Sequence, residues 1–368
     1  MGFRNHHTLH NIRCKLMITS SGFNSESHET RYSKVSEHRS HHSFKIGTKL
    51  FAGIENEDID ATFGSDKSNK IGSFARVIYA FSRPHTIKGT ILASVMGVCR
   101  SLAENPSCLK LKLVPKALIG LLALLCGNAY IVGINQIYDV KIDEINKPYL
   151  PIAAKKLSKT DAWKVVVACL LTGTIIVKSL FSQQIFLLYV AGMFLGTIYS
   201  VPPLQLKRFP VCAGLIIAIV RGFLLNFGVY YAVREALSIP FSWNPVVTFI
   251  SVFMTLFASI IAITKDLPDI EGDVKYNINT FASRYGVKNI ALFSTTLLSS
   301  AYIAAISLPF LIPNCFKKFP MTVGHFSLLL YLVRIYSKLD PANITSIKQF
   351  YKSIWNLFYL EYVIYSLI

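Results

Sequence analysis

Charged side chains are scarce in this sequence of 368 residues: 16% are Asp, Glu, Lys or Arg, where soluble domains carry about 25%. The shortage falls on one sign, because 20 acids stand against 38 bases and leave a formal net charge of +18. With 52% hydrophobic residues and a mean hydropathy of +0.44, an ordinary soluble enzyme is excluded. A disordered chain is excluded as well, since the apolar residues are too many and too clustered to stay solvated. The 7 cysteines form no CxxC pair, and most of them sit inside apolar runs. They read as small buried apolar residues, not as metal ligands or a disulfide framework. No secretory hydrophobic segment opens the chain, and no strong sequence repeat runs through it.

What is present is apolar length. Crossing about 30 Å of hydrocarbon takes roughly 20 helical residues, and Ala117–Ile134, Ser179–Leu206, Ala236–Thr264 and Asn289–Phe316 contain no Lys, Arg, Asp or Glu. Weaker runs cover Thr86–Leu102, Trp163–Val177, Val211–Val233, Phe319–Val333 and Phe350–Ile368. The expected fold is therefore an all-α multi-pass membrane protein of about nine helices. If nine helices alternate, the loops after the even-numbered ones hold 15 Lys and Arg and the opposite loops 8. The positive-inside rule then places the even-numbered loops inside.

The first 50 residues are a different material, with 8 Lys or Arg, 3 Glu, 7 of the 9 His and many Ser, but no long apolar run. A basic, Ser-rich, acid-poor leader reads as an organelle transit peptide, here over residues 1–60, with a disordered tail as the alternative. On the first reading the protein is a plastid membrane protein whose inside is the stroma. The histidines of the leader, among them His6, His7, His10, His38, His41 and His42, follow its compositional bias more than a metal-binding pattern.

Acids are costly in hydrocarbon, so those clustered at membrane helices are functional candidates. Two clusters stand out, Asn135-Gln136-Ile137-Tyr138-Asp139-Val140-Lys141-Ile142-Asp143 after the second run and Lys265-Asp266-Leu267-Pro268-Asp269-Ile270-Glu271-Gly272-Asp273 after the sixth. Asn135, Asp139 and Asp143 are spaced by four, and Asp266, Asp269 and Asp273 by three and four. On continuing helices each set lines one face. Stacked like charges repel unless a cation lies between them, and Mg²⁺ binds through one or two carboxylates together with substrate phosphates. Two facing stripes at one membrane surface would hold a Mg²⁺-bound diphosphate. Helix capping, or pairing with Lys141, Lys147 and Lys265, is the plainer alternative. The duplication after helices two and six favours the site, and it hints at a four-helix pseudo-repeat.

These paired motifs resemble the UbiA superfamily of intramembrane prenyltransferases over roughly residues 74–368. Together with Asn146-Lys147-Pro148-Tyr149-Leu150-Pro151 they look like its plant homogentisate and phenolic branch. Gln136 stands where the wider family often has Asp, which leaves the first motif one carboxylate short. Tyr199-Ser200-Val201-Pro202-Pro203-Leu204-Gln205-Leu206-Lys207-Arg208 looks like the loop between helices four and five, and Arg83-Pro84-His85-Thr86 like the start of helix one. For Lys207 and Arg208 a topology marker and diphosphate binding stay equally open; for Arg83, an interfacial anchor and a pocket role.

The resemblance implies a UbiA-type bundle around a central cavity and Mg²⁺-dependent aromatic prenylation, in which an allylic diphosphate ionises and an electron-rich ring captures the cation. It assigns Asp139, Asp143, Asp266, Asp269 and Asp273 to metal and diphosphate, and Asn135 as an oxygen ligand or orienting group. Lys147 and Lys265 would neutralise phosphate charge, and Gln136, Arg83, Tyr199, Lys207 and Arg208 complete the substrate-binding set. Tyr130, Tyr199, Phe223, Tyr230 and Tyr231 are available for cation–π stabilisation. The expected partners are a prenyl diphosphate, a phenolic acceptor and the bilayer, with no nucleic acid. A dimethylallyl donor with a flavonoid or coumarin acceptor is preferred, and a homogentisate phytyl- or solanesyltransferase is the alternative. A cation-coupled transporter is the rival from another class, but coupling sites sit near the midplane on broken helices, whereas these acids lie at helix ends.

Overall fold

Capping residues mark where the apolar runs become helices. Ser158 accepts from the Asp161 amide at 3.0 Å, Asn244 from Val247 at 2.9 Å with Pro245 behind it, and Asn343 from Thr345 at 2.9 Å. Each side chain satisfies an amide that the first helical turn leaves unpaired. Thr280 and Ser283 form a reciprocal capping box, and Pro84 starts its helix at a position where a missing N–H costs nothing.

The computed structural model describes residues 70–108, 111–276 and 278–368, and all regular structure among them is helical. The helices are α1 (Lys70–Phe81), α2 (Pro84–Glu104), α3 (Val114–Tyr138), α4 (Val140–Asn146), α5 (Lys159–Leu180) and α6 (Gln183–Ser200). There follow α7 (Pro210–Ala236), α8 (Pro245–Thr264), α9 (Ile270–Lys275), α10 (Phe281–Leu311), α11 (His325–Ser337) and α12 (Ile344–Tyr365). The expected leader over residues 1–60 lies outside the described residues.

Among the described residues 6 helices are long and apolar enough to cross a membrane: α3, α5, α6, α7, α8 with its continuation to Lys275, and α10. α2, α11 and α12 stand where the other three spans were expected. The polar content of α2, with Lys88, Arg100 and Glu104, and of α12, with Lys348, Lys352 and Glu361, dilutes their apolar signal. Peripheral helices turn large apolar side chains outward, Leu171 and Ile175 on α5 and Leu187 and Phe194 on α6. Such continuous apolar surface is an aggregation liability in water and an ordinary lipid-facing surface in a bilayer.

α8 is the opposite case and forms the centre of the bundle, packed by α7, α10 and α12. Met254 and Phe257 on it meet Tyr302, Phe358 and Tyr362 in the main core. Its approach to α7 is closest at Gly222, where a Cβ would stand 2.3 Å from the Thr255 Cα; small residues at such crossings let membrane helices pack backbone to backbone. A smaller core of Phe81, Tyr130, Ile134 and Val166 joins α1, α3 and α5.

The two ends of the bundle differ in chemistry. At one end Arg100, Arg234 and Asn244 converge on Glu104, and Arg100 also donates to the Ile368 carbonyl. The acidic segments after α3 and α8 gather elsewhere, with α4 packed on α9.

Candidate active site

The backbone decides which side chains of the first motif converge. α3 ends at Tyr138, yet the Asp139 amide still donates to the Asn135 carbonyl at 3.0 Å and α4 starts at the next residue. The chain therefore turns almost as one helix, so Asn135, Asp139 and Asp143 share a face as their spacing predicts. In the second motif Pro268 opens a single tight turn, Leu267–Asp269, before α9, and this buries Asp269 and Asp273.

Cross-links tie the two motifs together. Lys147, at the end of α4, forms an ion pair with Asp269, and Asn146 Nδ2 donates to Asp273 Oδ1 at 3.4 Å. Asn146 Oδ1 in turn accepts from the Gly272 amide at 3.0 Å. Lys207 reaches across from the α6–α7 loop to Asp139, and Lys265 pairs with its neighbour Asp266 at 2.6 Å. Arg83 Nη2 donates to Asn135 Oδ1 at 3.2 Å, and Asn135 Nδ2 to Asp139 Oδ2 at 2.8 Å. Tyr199 lies within electrostatic reach of Arg83, Asp139, Lys265 and Asp266.

Two of the expected residues stand apart. Arg208 is exposed next to Lys207. Gln136 is buried and faces the other way, its Nε2 donating to the Phe81 carbonyl at 2.5 Å. Successive helical residues diverge by about 100°, so position 136 is carried off the Asn135 face, and a carboxylate there would meet a carbonyl instead of the acid cluster. Gln136 thereby pins the end of α1, two residues before Arg83. Arg83 itself has φ 52°, a left-handed conformation that costs roughly 1–2 kcal/mol for a residue with a Cβ; such strain persists where the surroundings over-determine it.

The aromatic candidates also separate. Tyr130 is buried and bonded to Thr197 Oγ1 at 2.7 Å. Phe223, Tyr230 and Tyr231 instead gather with Phe227, Phe241 and Trp243 beside the α7–α8 loop, where Tyr230 bonds Arg234 and Asn244. That cluster sits at the Glu104 end, away from the acids. Asn146, quoted from the sequence only within the branch segment and given no role there, proves to be a principal link between the motifs.

Burial pushes the Asp143 carboxyl up to about 6, with the Arg83 and Lys147 charges pulling it down. Burial works most strongly against the Lys147 charge, but Asp269 and Asp143 together hold the ammonium above its ordinary range. At Lys207 burial prevails over Asp139 and the pKa falls below that range.

No three His, Cys, Asp or Glu side chains converge into a ready metal cage among the described residues. The donor set nonetheless fits a hard divalent cation shared with phosphate oxygens: all its ligating atoms are oxygens, and Asp143 Oδ2 is buried without a hydrogen-bond partner. Asp139, Asp266 and Asp269 are each held by a lysine, Lys207, Lys265 and Lys147 in turn.

Deeper along the same face of α3 lies Asn128, two turns before Asn135. Its Nδ2 donates to Thr86 Oγ1 at 3.0 Å and to the Ser82 carbonyl at 3.3 Å, while its Oδ1 faces Arg221 Nη2 at 3.5 Å. His85 meets Trp355 edge-on at 5.0 Å, and Tyr359 donates to the His85 carbonyl at 2.7 Å.

The tightness of the junction between the motifs gives a direct expectation. A Cβ on Gly272 would stand 2.2 Å from Asn146 Oδ1, so Gly272→Ala must push α9 away from α4. Misplacing reacting groups by 1 Å costs on the order of 10²-fold, and that is the loss of kcat/KM expected here, with little change in thermal stability. Combining it with Asn146→Ala should return part of the activity by making room. A single variant as active as wild type would show that the junction does not position the site.

Residues 91–358 match the UbiA prenyltransferase family. The chain is 54% identical over 292 residues to a probable homogentisate phytyltransferase 2 from Oryza sativa subsp. japonica, covering 79% of this chain and 77% of that one. It is 53% identical to the homogentisate solanesyltransferase of Arabidopsis thaliana, over 81% of this chain and 78% of the relative. To a 2-acylphloroglucinol 4-prenyltransferase of Humulus lupulus it is 39% identical, over 88% and 79%. Among solved structures, a UbiA homologue from Archaeoglobus fulgidus bound to GPP and Mg²⁺ shares the fold, with a TM-score of 0.56, 20% identity, and coverage of 79% of this chain and 100% of that one.

Proposed function

The chain belongs to the UbiA prenyltransferase family, and on that premise we propose that it transfers a long prenyl group from an allylic diphosphate to homogentisate in a plastid membrane. The observation that carries the prenyl-transfer reading is the joining of the two acidic motifs through Lys147–Asp269 and Asn146–Gly272. It gathers carboxylates and cations at one end of an apolar bundle, which is the arrangement a diphosphate with an isoprenoid tail requires. The acceptor rests on the relatives: those at 54% and 53% identity carry homogentisate in their names, and the one at 39% an acylphloroglucinol. This favours homogentisate over the flavonoid or coumarin preferred from the sequence. The chloroplastic names of the same relatives support residues 1–60 as a transit peptide.

In this reading Asp139, Asp143, Asp266, Asp269 and Asp273 hold a divalent cation, best matched by Mg²⁺. Bound there, it would neutralise charge developing on the leaving diphosphate without proton transfer. Lys147 and Lys207 turn from their present partners to phosphate oxygens, and Arg83 offers its unpartnered Nε, charge-assisted contacts stronger than neutral ones. Lys265 stays beside Asp266. Asn135 holds Arg83 and Asp139 in register. As the bond between the donor's first carbon and oxygen breaks, its electron pair leaves with diphosphate; the apolar interior keeps water from the allylic cation. A ring carbon activated by a phenolic hydroxyl forms the new bond and then loses its proton.

The test is product formation by membranes from cells expressing the chain. Donors are dimethylallyl, phytyl and solanesyl diphosphate; acceptors are homogentisate, an acylphloroglucinol, a flavonoid and a coumarin. The expected product is prenylated homogentisate from a long-chain donor, lost on chelation. Turnover of a flavonoid or coumarin with dimethylallyl diphosphate, and none of homogentisate, would overturn the acceptor.

Acidity supplies a second check. A cation ligand must be ionised, and kcat/KM reports the ionisations of the free enzyme. With Asp143 raised to about 6, its proton persists to higher pH than on an exposed carboxylate. The profile should therefore already be falling with falling pH at about 6, above the ordinary carboxylate range. A level profile down to the ordinary carboxylate range would remove Asp143 from the donor site.

A further inference from the structure

The diphosphate end accounts for Arg83, Lys147, Lys207 and Lys265, but it makes no use of Arg221. Arg221 lies in the middle of α7, an apolar span of 27 residues, in the segment Ala218–Leu224 where the helix widens to π-helical pitch. Such bulges recur at functional sites, and a charge inside a membrane span is a functional candidate by default. Among the described residues no carboxylate forms an ion pair with it; the groups in electrostatic reach include the phenols of Tyr351, Tyr359 and Tyr362 and the ring of His85.

The guanidinium is nevertheless held in place. Nη2 donates to Asn128 Oδ1 at 3.5 Å, and the amide of Asn128 is itself fixed by Thr86 and Ser82. The Trp355 ring lies under the guanidinium at 5.2 Å. On α2 the facing residue is Gly89, where a Cβ would stand 3.1 Å from Nη1, so the glycine lets α2 pass the guanidinium without crowding it. Nη1 is buried and has no hydrogen-bond partner. An oriented guanidinium with an unpartnered Nη1 keeps N–H donors for an anionic oxygen, and its planar fork suits a carboxylate.

Depth fixes which anion this is. Asn128 and Asn135 are seven residues apart on one face of α3, about 10 Å along the helix. Arg221, bonded to Asn128, is thus about two helical turns deeper than the diphosphate end, on the side where an acceptor ring would meet the donor's first carbon. We propose that Arg221 binds the carboxylate of an aromatic-acid acceptor and so orients the ring toward the donor, making it a specificity-determining residue. This rests on the prenyltransferase reading above and narrows the acceptor class to rings that carry an acidic side arm. Homogentisate, a dihydroxyphenylacetate, has one; a neutral phenol does not.

The experiment compares homogentisate with methylhydroquinone, which lacks the carboxylate, in membranes holding the full chain. In Arg221→Gln the ratio of kcat/KM for homogentisate over methylhydroquinone should fall at least tenfold, through a raised homogentisate KM, while the donor KM stays within twofold. Arg221→Lys should keep part of the preference. Asn128→Asp, which leaves the arginine but pairs its charge, should lower the ratio as Arg221→Gln does and guards against a variant that fails to fold. Equal loss on both acceptors, or a shift confined to the donor KM, would assign Arg221 to packing or to the donor and overturn the proposal. Should the wild type prenylate only neutral acceptors, the homogentisate reading fails by itself. Arg221 is then tested by homogentisate inhibition of that turnover: inhibition that weakens tenfold in Arg221→Gln upholds the carboxylate site, and its absence in the wild type overturns it.

Discussion

Asp269→Ala is expected to lower prenyl transfer by about 10³-fold or more, and Asp139→Ala to do the same. Asp269 is 7% exposed and carries the ion pair to Lys147 that joins the motifs, so the substitution removes an oxygen ligand and frees the lysine at once. Charge stabilisation by a bound divalent cation is worth several kcal/mol, and about 4 kcal/mol is a factor of 10³. Asp139 has the matching place in the first motif, held by Lys207 and Asn135. Asp269→Asn separates charge from shape, because its amide oxygen still accepts from Lys147; it should be nearly as inactive as the alanine variant. The measurement is initial rate against donor and Mg²⁺ concentration, with thermal unfolding in detergent as the control for folding. More than a tenth of wild-type activity in Asp269→Asn would show that position 269 does not hold the cation.

The residues that were legible beforehand run along one helix, where the pitch is fixed and spacing alone sets the face. Asn135, Asp139 and Asp143 converge as their spacing requires, and the same rule shows why Gln136 does not join them. Links between helices have no such rule. Lys147 and Asp269 are 122 positions apart and Lys207 and Asp139 are 68, and no periodicity connects either pair. Lys207 and Arg208 carry the same local signal, yet the turn at Leu206–Arg208 brings one to Asp139 and leaves the other exposed. Hydropathy located the apolar runs well because length and composition are what it measures. It passed over Arg221, His325 and Glu361, whose meaning depends on what surrounds them. The acceptor was least legible, since every motif at the diphosphate end serves all acceptors alike.

Glu361→Ala is expected to destabilise the fold by about 3–5 kcal/mol, the cost of leaving one partner of a buried ion pair uncompensated. His325 and Glu361 are both fully buried and meet at 3.0 Å between Nε2 and Oε1. The other ring nitrogen of His325 bonds the Met321 carbonyl at 2.6 Å, and Phe249, Phe253 and Tyr302 pack around the imidazole. No water can reach either group in that cage, so truncating Glu361 strands the imidazole, and His325→Leu strands the carboxylate. Replacing both by leucine removes the desolvation cost with the pair, and buried pairs exchanged for apolar residues of similar size are often neutral or more stable. The expected order of thermal unfolding in detergent is therefore wild type close to the double leucine variant, with each single variant lower by on the order of 10 °C. The pair also joins α11 to α12, and α12 carries Trp355 and Tyr359 against Arg221 and His85. A loosened α12 should consequently raise the acceptor KM of the single variants before it touches the donor KM. Single variants that unfold with the wild type would mean that the cage relaxes around a neutral pair and that the ion pair contributes nothing to holding α12.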